Sequence, residues 1–491
     1  MIAEPARLFD FRPYAGHSAH YRQILKGFSG TKPFRSAVIG ELVLDDDFYR
    51  RPLRPEDLDF LTFTRPVQLS TVSRLASLAS QRTLSSLYEL SAALAPATRG
   101  EGRLSGLAAF ANEPNRLCAA QLLPFLEAYA FNYLGDVAAD GAASLEALYD
   151  SEYRFWMQLF DTLQVSDYLQ EGLRFILIQY WCLRPSKRRV LAETGARGHF
   201  VGWPSGSPPS LESDLLGENA LAQLARMLDV TRQQHSYWQF YLSTSLSKCN
   251  LLYALARRAE HCFALYGALY GAQAEWLAFE AALVSSCPHL VPASQRVARN
   301  PQSLLSQLLG QFECGLRYLR EAHGESAVLQ LGQGLAAAQT LCERGRWDLG
   351  EQIAWLSSID QYCEYARTIS RRIEKECPDI DRDTFVEPRD MCSTTHVHND
   401  HRLVTIETGV MHFWGNLGMR LEMQPGDRVL IPAGRLHGST VLSPECIYHQ
   451  PIIPDEWIRD LLAARVAPDS GTSQLDLGKS GCAVADARES V

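Results

Sequence analysis

The stretch HVHNDHRLVTIETG, residues 396–409, places two histidines two positions apart and then runs into a strand-like segment. Side chains at i and i+2 of a strand leave the same face, so His396 and His398 are predicted to point together. Further along, PGDRVLIPAGRLHGS (425–439) supplies a turn, a strand, a Pro-x-Gly corner and then His437. The two stretches together predict a β domain whose three histidines bind a metal.

Composition and charge narrow the class of protein. The chain has 491 residues, of which 46% are hydrophobic and 21% charged, as is typical of a globular protein with more than one domain. A net charge of −9 argues against nucleic acid as a partner. The N-terminus lacks the layout of a signal peptide, no apolar stretch is long enough for a membrane span, and the 12 cysteines stand singly. We therefore expect a soluble, cytoplasmic protein.

The region from about residue 55 to about residue 375 has the apolar spacing of helices. SRLASLASQRTLSSLYELSAALA predicts one helix, and the segment 239–284 predicts a central helix pair because it is apolar almost all round. In LEALYDSEYRFWMQLFDTLQ one helical stripe collects Leu148, Phe155, Leu159, Phe160 and Leu163. GWPSGSPPS (202–210) predicts a loop.

The pattern changes after residue 376. ECPDIDRDTFVEPRD (376–390) is polar and is interpreted as a linker. LVTIETG, MHFWG, MRLEMQPGD, RVLIPAG and STVLS then predict short strands broken by Gly and Pro turns, followed by a closing helix in IPDEWIRDLLAARV. The tail, 466–491, is low in large apolar residues and is expected to be disordered.

The strand region resembles the cupin family, in which HxH opens one strand and P-x-G-x2-H follows some 40 residues later. Many cupins add a Glu ligand four or five residues after the second histidine. Here those positions are Arg402 and Leu403, and an arginine is not a metal ligand. The predicted ligands are therefore His396, His398 and His437 alone. Three imidazoles suit Fe(II), although zinc with a bound water also fits them.

Two further histidines of this region are not assigned as ligands. His401 is expected to be solvated in a turn. His412 is expected to lie in the core or beside the ligands.

A long helical region followed by a three-histidine cupin resembles the N-nitrosating metalloenzyme family of streptozotocin biosynthesis. The resemblance implies a multidomain chain, all-α and then all-β. It implies an N-terminal helical segment for dimerisation (1–135), a haem-oxygenase-like helical domain (136–375), a cupin barrel (376–465) and the tail. In that family the helical domain is a di-iron oxidase that hydroxylates guanidine nitrogens of an arginine derivative. The cupin iron then uses O2 to form an N–N bond.

The di-iron ligands of that family are poorly matched by this sequence. Its final ligand helix has the spacing His-x3-Asp-x2-His. Overlaying YLREAHGESAVLQLG on that helix puts Ala322, Ser326 and Leu329 at the ligand positions. An earlier Glu ligand falls on Gln273 or on Glu275, and the earliest one on Glu193. We therefore expect a helical scaffold without the di-iron site.

The resemblance then implies a function for the cupin alone. A non-haem Fe(II) centre with O2 as co-substrate would oxidatively rearrange an N-hydroxylated guanidine, resembling N-hydroxyarginine, that a separate enzyme supplies. The product would be an N-nitroso or diazeniumdiolate amino acid, and the chain a homodimer. Arg402 is predicted to hold the substrate carboxylate, unless it faces solvent. Trp414 and Arg420 are predicted to line the pocket, although barrel packing explains Trp414 equally well.

Three other functions remain open at this point. The first is a bifunctional enzyme whose helical domain keeps an active di-iron site. The second is a three-histidine cupin dioxygenase or isomerase that acts on another chelating metabolite. The third is a non-catalytic, metal-dependent binding protein.

Overall fold

The computed structural model describes residues 7–35, 53, 56–59, 61–92, 110–135, 137–183, 215–231, 234–291, 300–393, 395–415 and 420–464, the side chains of 56, 91–92, 234–236, 420 and 462–464 excepted. The predicted loop at 202–210, Glu193 and the tail lie outside these residues. Within them, no helix combines the length and the apolar character needed to cross a bilayer.

The first two thirds of the described chain are helical. The helices are α1 (Ser18–Ser29), α2 (Leu75–Ala92), α3 (Glu113–Phe131), α4 (Gly141–Gln164), α5 (Leu169–Leu177), α6 (Glu218–Met227), α7 (Ser243–Arg257), α8 (Cys262–Ser286), α9 (Pro301–His323), α10 (Glu325–Ser357) and α11 (Ile359–Glu376). The predicted apolar stripe of α4 is buried along its whole length, and α7 and α8 form the predicted central pair.

Helix α8 is the centre of the helical region, and it packs against α4 and α10. Its crossing with α10 is close because glycines stand at the contact. A Cβ atom at Gly267 would fall on the backbone of Leu331, and one at Gly334 would fall on the backbone of Ala264. Only glycine allows two helix backbones to approach this closely.

Antiparallel strands follow the helices, so the predicted fold class is confirmed. They are β1 (Thr384–Pro388), β2 (His401–Thr408), β3 (Met411–Trp414), β4 (Arg420–Met423), β5 (Arg428–Ile431), β6 (Gly438–Val441), β7 (Glu445–His449) and β8 (Ile452–Ile453), and the closing helix is α12 (Asp455–Ala464). One sheet has the order β1-β7-β2-β5 with β8 beside β2, and the other has the order β4-β3-β6.

Two predictions of local structure are wrong. The stretch 376–390 is not only a linker, because it contains β1, which pairs with β7 along its whole length. His401 does not lie in a solvated turn: it begins β2, it is partly buried, and its Nδ1 accepts a hydrogen bond from the backbone N–H of Ala433 (3.1 Å).

The β domain packs directly on the helices. Helix α11 lies against β5 and β2. The ring of Trp355 on α10 stands edge-on to Phe413 of β3, with 6.2 Å between centroids. One contiguous apolar core runs from the helical region into the barrel. The histidine-bearing segments are therefore enclosed by helices as well as by strands.

Candidate metal centre

The three predicted histidines meet in the β domain. His396 and His437 form an isolated antiparallel bridge, and each donates its backbone N–H to the carbonyl of the other, at 3.0 and 3.1 Å. His398 follows two residues after His396. The three ring centroids lie 4.5 to 4.9 Å apart. One ring nitrogen from each histidine lies within 4.8 Å of the other two. This is a separation from which three imidazoles can bind one ion.

Burial keeps the imidazoles of His398 and His437 neutral. His437 is 3% exposed, and its burial lowers its pKa well below the ordinary value, with His396 and His398 adding to the effect. Burial, followed by the charges of His396 and Arg402, lowers the pKa of His398 to about 3. At neutral pH both rings therefore carry a free lone pair, which is the form that binds a metal.

Hydrogen bonding determines which nitrogen of His437 is available. Its Nδ1 lies 2.8 Å from the carbonyl oxygen of Arg435 and donates to it, so Nε2 carries the lone pair. Nε2 of His437 and Nε2 of His398 are both buried, and neither has a hydrogen-bond partner among the described residues. Buried polar atoms are seldom left unpaired, and a metal ion between them would supply the missing partner.

The donor set fits a divalent transition metal. Within the part of the chain that the structure describes, the group around these rings contains three histidines and no carboxylate. Three imidazoles suit Fe(II) or Zn²⁺ and leave coordination positions open. The aromatic ring of Phe413 stacks on His437, with 5.8 Å between centroids, and forms an apolar wall beside the site.

Arg402 lies near the site in β2, and its guanidinium already has partners. Nη1 donates to Asp383 (2.7 Å) and to the carbonyl of Gln450 (3.0 Å), and Nη2 lies 3.4 Å from Asp400. The side chain is 14% exposed, so it does not face open solvent. Its predicted contact with a substrate carboxylate stays a prediction.

The other two predicted pocket residues form one cross-strand pair. Trp414 of β3 is opposite Arg420 of β4. The indole of Trp414 is 5% exposed and packs against Phe240 and Gly438. The side chain of Arg420 lies outside the described residues. Packing thus accounts for the position of Trp414, and the pocket role of both residues remains a prediction.

A second cluster of ligand-type side chains lies inside the helical region. From the sequence, only one of its members, Glu275, is considered as a ligand position. Glu152 of α4, Glu275 of α8 and Cys342 of α10 are all buried, and their ligand-type atoms lie within 4.8 Å of one another. Each carboxylate is also paired with a protein cation. Arg346 donates to Glu152. Lys248 Nζ lies 2.5 Å from Glu275, which also accepts from Tyr180 (2.6 Å). Two negative charges thus face two positive ones.

The electrostatics of this cluster follow from its burial. Burial, then the charge of Glu275, raises the pKa of Glu152 to about 7, against the lowering effect of Arg346. The pKa of Lys248 is raised despite its burial, because Glu275 stabilises the charged ammonium. The cluster is held by ion pairs among its own side chains, and Oε2 of Glu152 is buried in it without a hydrogen-bond partner among the described residues.

The predicted overlay of the last ligand helix is wrong. Ala322, Ser326 and Leu329 are exposed at the junction of α9 and α10, and none of them faces the cluster. The same spacing begun 20 residues later, at the buried Cys342 of α10, falls on Cys342, Arg346 and Leu349. An arginine and a leucine cannot ligate a metal.

Comparison with known proteins agrees with the architecture. No protein-family model matches the chain. A nitrosourea synthase from Streptomyces achromogenes subsp. streptozoticus is 28% identical over 444 residues, which cover 82% of this chain and 89% of that protein. The aligned length is too great to lie within the cupin alone. The chain therefore resembles the streptozotocin-type N-nitrosating family along most of its length, as predicted.

Proposed function

We propose that this chain is a mononuclear iron(II), O2-dependent oxidoreductase that forms an N–N bond in natural-product biosynthesis. Its substrate is an arginine-derived, N-hydroxylated guanidine, and its product is an N-nitroso or diazeniumdiolate amino acid. The convergence of three histidines with two unpartnered Nε2 atoms carries the metal part of the proposal. The similarity to a protein named nitrosourea synthase supports the N-nitrosating part.

The chain's own residues prepare the site for such a reaction. The group of three histidines contains no carboxylate among the described residues, so it leaves the charge of a divalent ion uncompensated and favours a chelating, partly anionic substrate. Bound there, iron(II) would supply open positions for substrate and O2 and would stabilise developing negative charge. Phe413 stacks on His437 and Trp355 packs edge-on against Phe413, so apolar side chains keep water from one side of His437.

Arg402, Trp414 and Arg420 are the residues that we propose for substrate binding. Arg402 can offer Nη2 to a substrate carboxylate by exchanging its longest contact, the one with Asp400 at 3.4 Å, while Nη1 stays on Asp383 and Gln450. A guanidinium is suited to such a carboxylate contact. Trp414 and Arg420 would form the wall of the pocket on the β3–β4 side.

The charges buried in the helical domain support the assignment of the N-hydroxylation to a second enzyme. Its buried carboxylates are neutralised by Lys248 and Arg346, so they need no metal to compensate their charge. We therefore propose that a separate enzyme performs the N-hydroxylation. We also propose a homodimer formed through residues 1–135, as the family resemblance implies.

A bifunctional enzyme is the second candidate function. It is favoured by the short separation of the Glu152, Glu275 and Cys342 ligand atoms and by the buried Oε2 of Glu152, which has no hydrogen-bond partner among the described residues. If Lys248 and Arg346 moved away, these three groups could hold a metal. The two candidates differ in the substrate that the chain would accept, because only a bifunctional enzyme would consume arginine itself.

A turnover experiment tests the proposal. The protein is loaded with Fe(II) and exposed to air with arginine or with N-hydroxyarginine, isotope-labelled in the guanidine nitrogens, and the products are analysed by mass spectrometry. We expect an N–N bonded product from N-hydroxyarginine only, and none with His437→Ala. Turnover of arginine would favour the bifunctional enzyme. No turnover of either substrate would contradict both candidates.

A further inference from the structure

Two helices of the helical region contact the segments that carry the three histidines. Helix α10 lies against residues 434–437, which lead into His437. Helix α2 lies against the segment 395–399, which contains His396 and His398. The contacts of Gln352 and Arg82 are hydrogen bonds from buried side chains to the backbone, and that of Leu75 runs from its backbone N–H to the exposed side chain of Asn399, so they bear on where the histidines lie.

Gln352 of α10 uses both ends of its amide on the turn before His437. Its Nε2 donates to the carbonyl of Gly434 (2.8 Å), and its Oε1 accepts from the N–H of Leu436 (3.2 Å). The N–H of Gly434 in turn donates to the carbonyl of His398 (2.9 Å). Gln352 is 1% exposed, so water does not compete for these bonds. One side chain is thus connected to the backbone beside two of the three histidines.

Arg435 makes a second connection between helix α10 and the segment that leads into His437. Its side chain, 5% exposed, forms an ion pair with Glu351 of α10. Its carbonyl accepts the hydrogen bond from Nδ1 of His437 (2.8 Å). The residue that orients the His437 ring is therefore held from the helical side.

Helix α2 holds the other two histidines in a comparable way. Arg82 donates from Nη1 to the carbonyl of Thr395 (2.7 Å) and from Nη2 to its hydroxyl (3.3 Å), immediately before His396. The N–H of Leu75 donates to Oδ1 of Asn399 (3.3 Å), immediately after His398. The pair of histidines is thus fixed on both sides.

We propose that Gln352 is a positioning residue of the metal centre, and that the helical region works with the β domain to set the geometry of the three histidines. Their segments are joined by isolated bridges and single backbone hydrogen bonds and not by a continuous strand ladder, so contacts from the helices add to what fixes them. Groups that orient metal ligands typically change metal affinity by about 10- to 100-fold when they are removed. The inference rests on the proposed metal site but not on the proposed reaction.

Gln352→Met tests this inference in the full chain, because methionine keeps the length of the side chain and loses its hydrogen bonds. The matched control is Gln333→Met, in the same helix. Gln333 is 2% exposed and also donates to a backbone carbonyl, that of Gly135 at 2.8 Å, but within the helical region. Co(II) serves as the probe, since its visible absorption reports both affinity and coordination geometry.

We expect Gln352→Met to weaken Co(II) binding about 10-fold or more and to change the absorption spectrum, with the control unchanged in both. Equal affinity and spectrum in Gln352→Met and the wild type would overturn the inference and leave the metal site standing. No Co(II) binding by the wild type would overturn both. Should Gln352→Met fail to fold, Gln352→Asn replaces it, since that side chain keeps the amide but is one methylene too short to hold both backbone groups. An unchanged spectrum and affinity there would equally contradict the inference.

Discussion

His396 and His437, 41 positions apart in the sequence, are joined by two reciprocal backbone hydrogen bonds that bring their rings to a centroid distance of 4.5 Å. The bridge pairs the segment before β2 with the segment before β6. It places both rings against His398, so the metal centre arises where two short connections meet and not within a regular strand. Its geometry can therefore be perturbed without unfolding the sheets.

Metal removal should lower the thermal stability of the protein. A metal that binds only the folded state stabilises it by about 2.7 kcal/mol when its free concentration is 100 times its dissociation constant. Treatment of the Fe(II)- or Zn²⁺-loaded wild type with a chelator should therefore lower the unfolding temperature by several degrees. The measurement is differential scanning fluorimetry, with His437→Ala as the control that should show no shift. An identical shift in His437→Ala would mean that the stabilising metal binds elsewhere.

Asp348 should make stability depend on pH. It is 2% exposed and accepts a hydrogen bond from Thr244 (2.9 Å), and its burial raises its pKa from 3.8 to about 6. Between these values the folded state binds more protons than the unfolded state, so stability falls as pH rises from 4 to 6. The cost at neutral pH is about 3 kcal/mol.

Asp348→Asn removes this ionisation and keeps the hydrogen bond from Thr244. We expect the variant to gain stability over the wild type at pH 7.5 and to lose most of that gain at pH 4.5, measured by urea unfolding. A difference between variant and wild type that does not change with pH would show that Asp348 titrates normally.

The ion pair of Lys248 and Glu275 should matter for stability and not for metal content. Lys248→Met leaves a buried carboxylate without its cation, which should cost about 3 kcal/mol. Adding Glu275→Gln should restore most of the loss, because neither charge is then buried alone. Chemical unfolding measures both effects. Loss of iron from the double variant would instead place a metal in the helical region.

The crossing of α8 and α10 should not tolerate a side chain. Gly334→Ala places a Cβ on the backbone of Ala264 and should destabilise the protein by about 1–3 kcal/mol. Gly310→Ala, in α9, is the control: its Cβ meets nothing within 4 Å. That substitution should stabilise by about 0.5–1 kcal/mol through helix propensity. Equal effects of the two substitutions on the unfolding midpoint would contradict the close helix contact.

The three-histidine cluster could be predicted from the sequence because two recognisable motifs supply it, although these lie 41 positions apart and outside the regular strands. The HxH pair and the Pro-x-Gly corner before His437 are each short, and a period of two determines which side chains share a face. The strand β1 could not be predicted in the same way. None of its five residues is buried and it ends in a proline, and its pairing with β7, distant in sequence, is what makes it a strand.

The buried cluster of the helical region could not be predicted from the sequence. Its charged members come from four helices, one each: Glu152, Lys248, Glu275 and Arg346. Each is an ordinary polar residue in an otherwise apolar helical pattern. Only the packing of α4, α7, α8 and α10 brings them together. The overlay begins at Ala322, 20 residues before Cys342, and therefore does not include that cysteine.

The iron content after anaerobic Fe(II) loading and desalting tests the central claim most directly, compared between the wild type and His398→Ala. A single three-histidine centre predicts about one iron per chain in the wild type and almost none in the variant. Two or more irons per chain that survive the substitution would show that the helical region binds metal after all. A wild type that retains no iron would contradict the proposed iron centre.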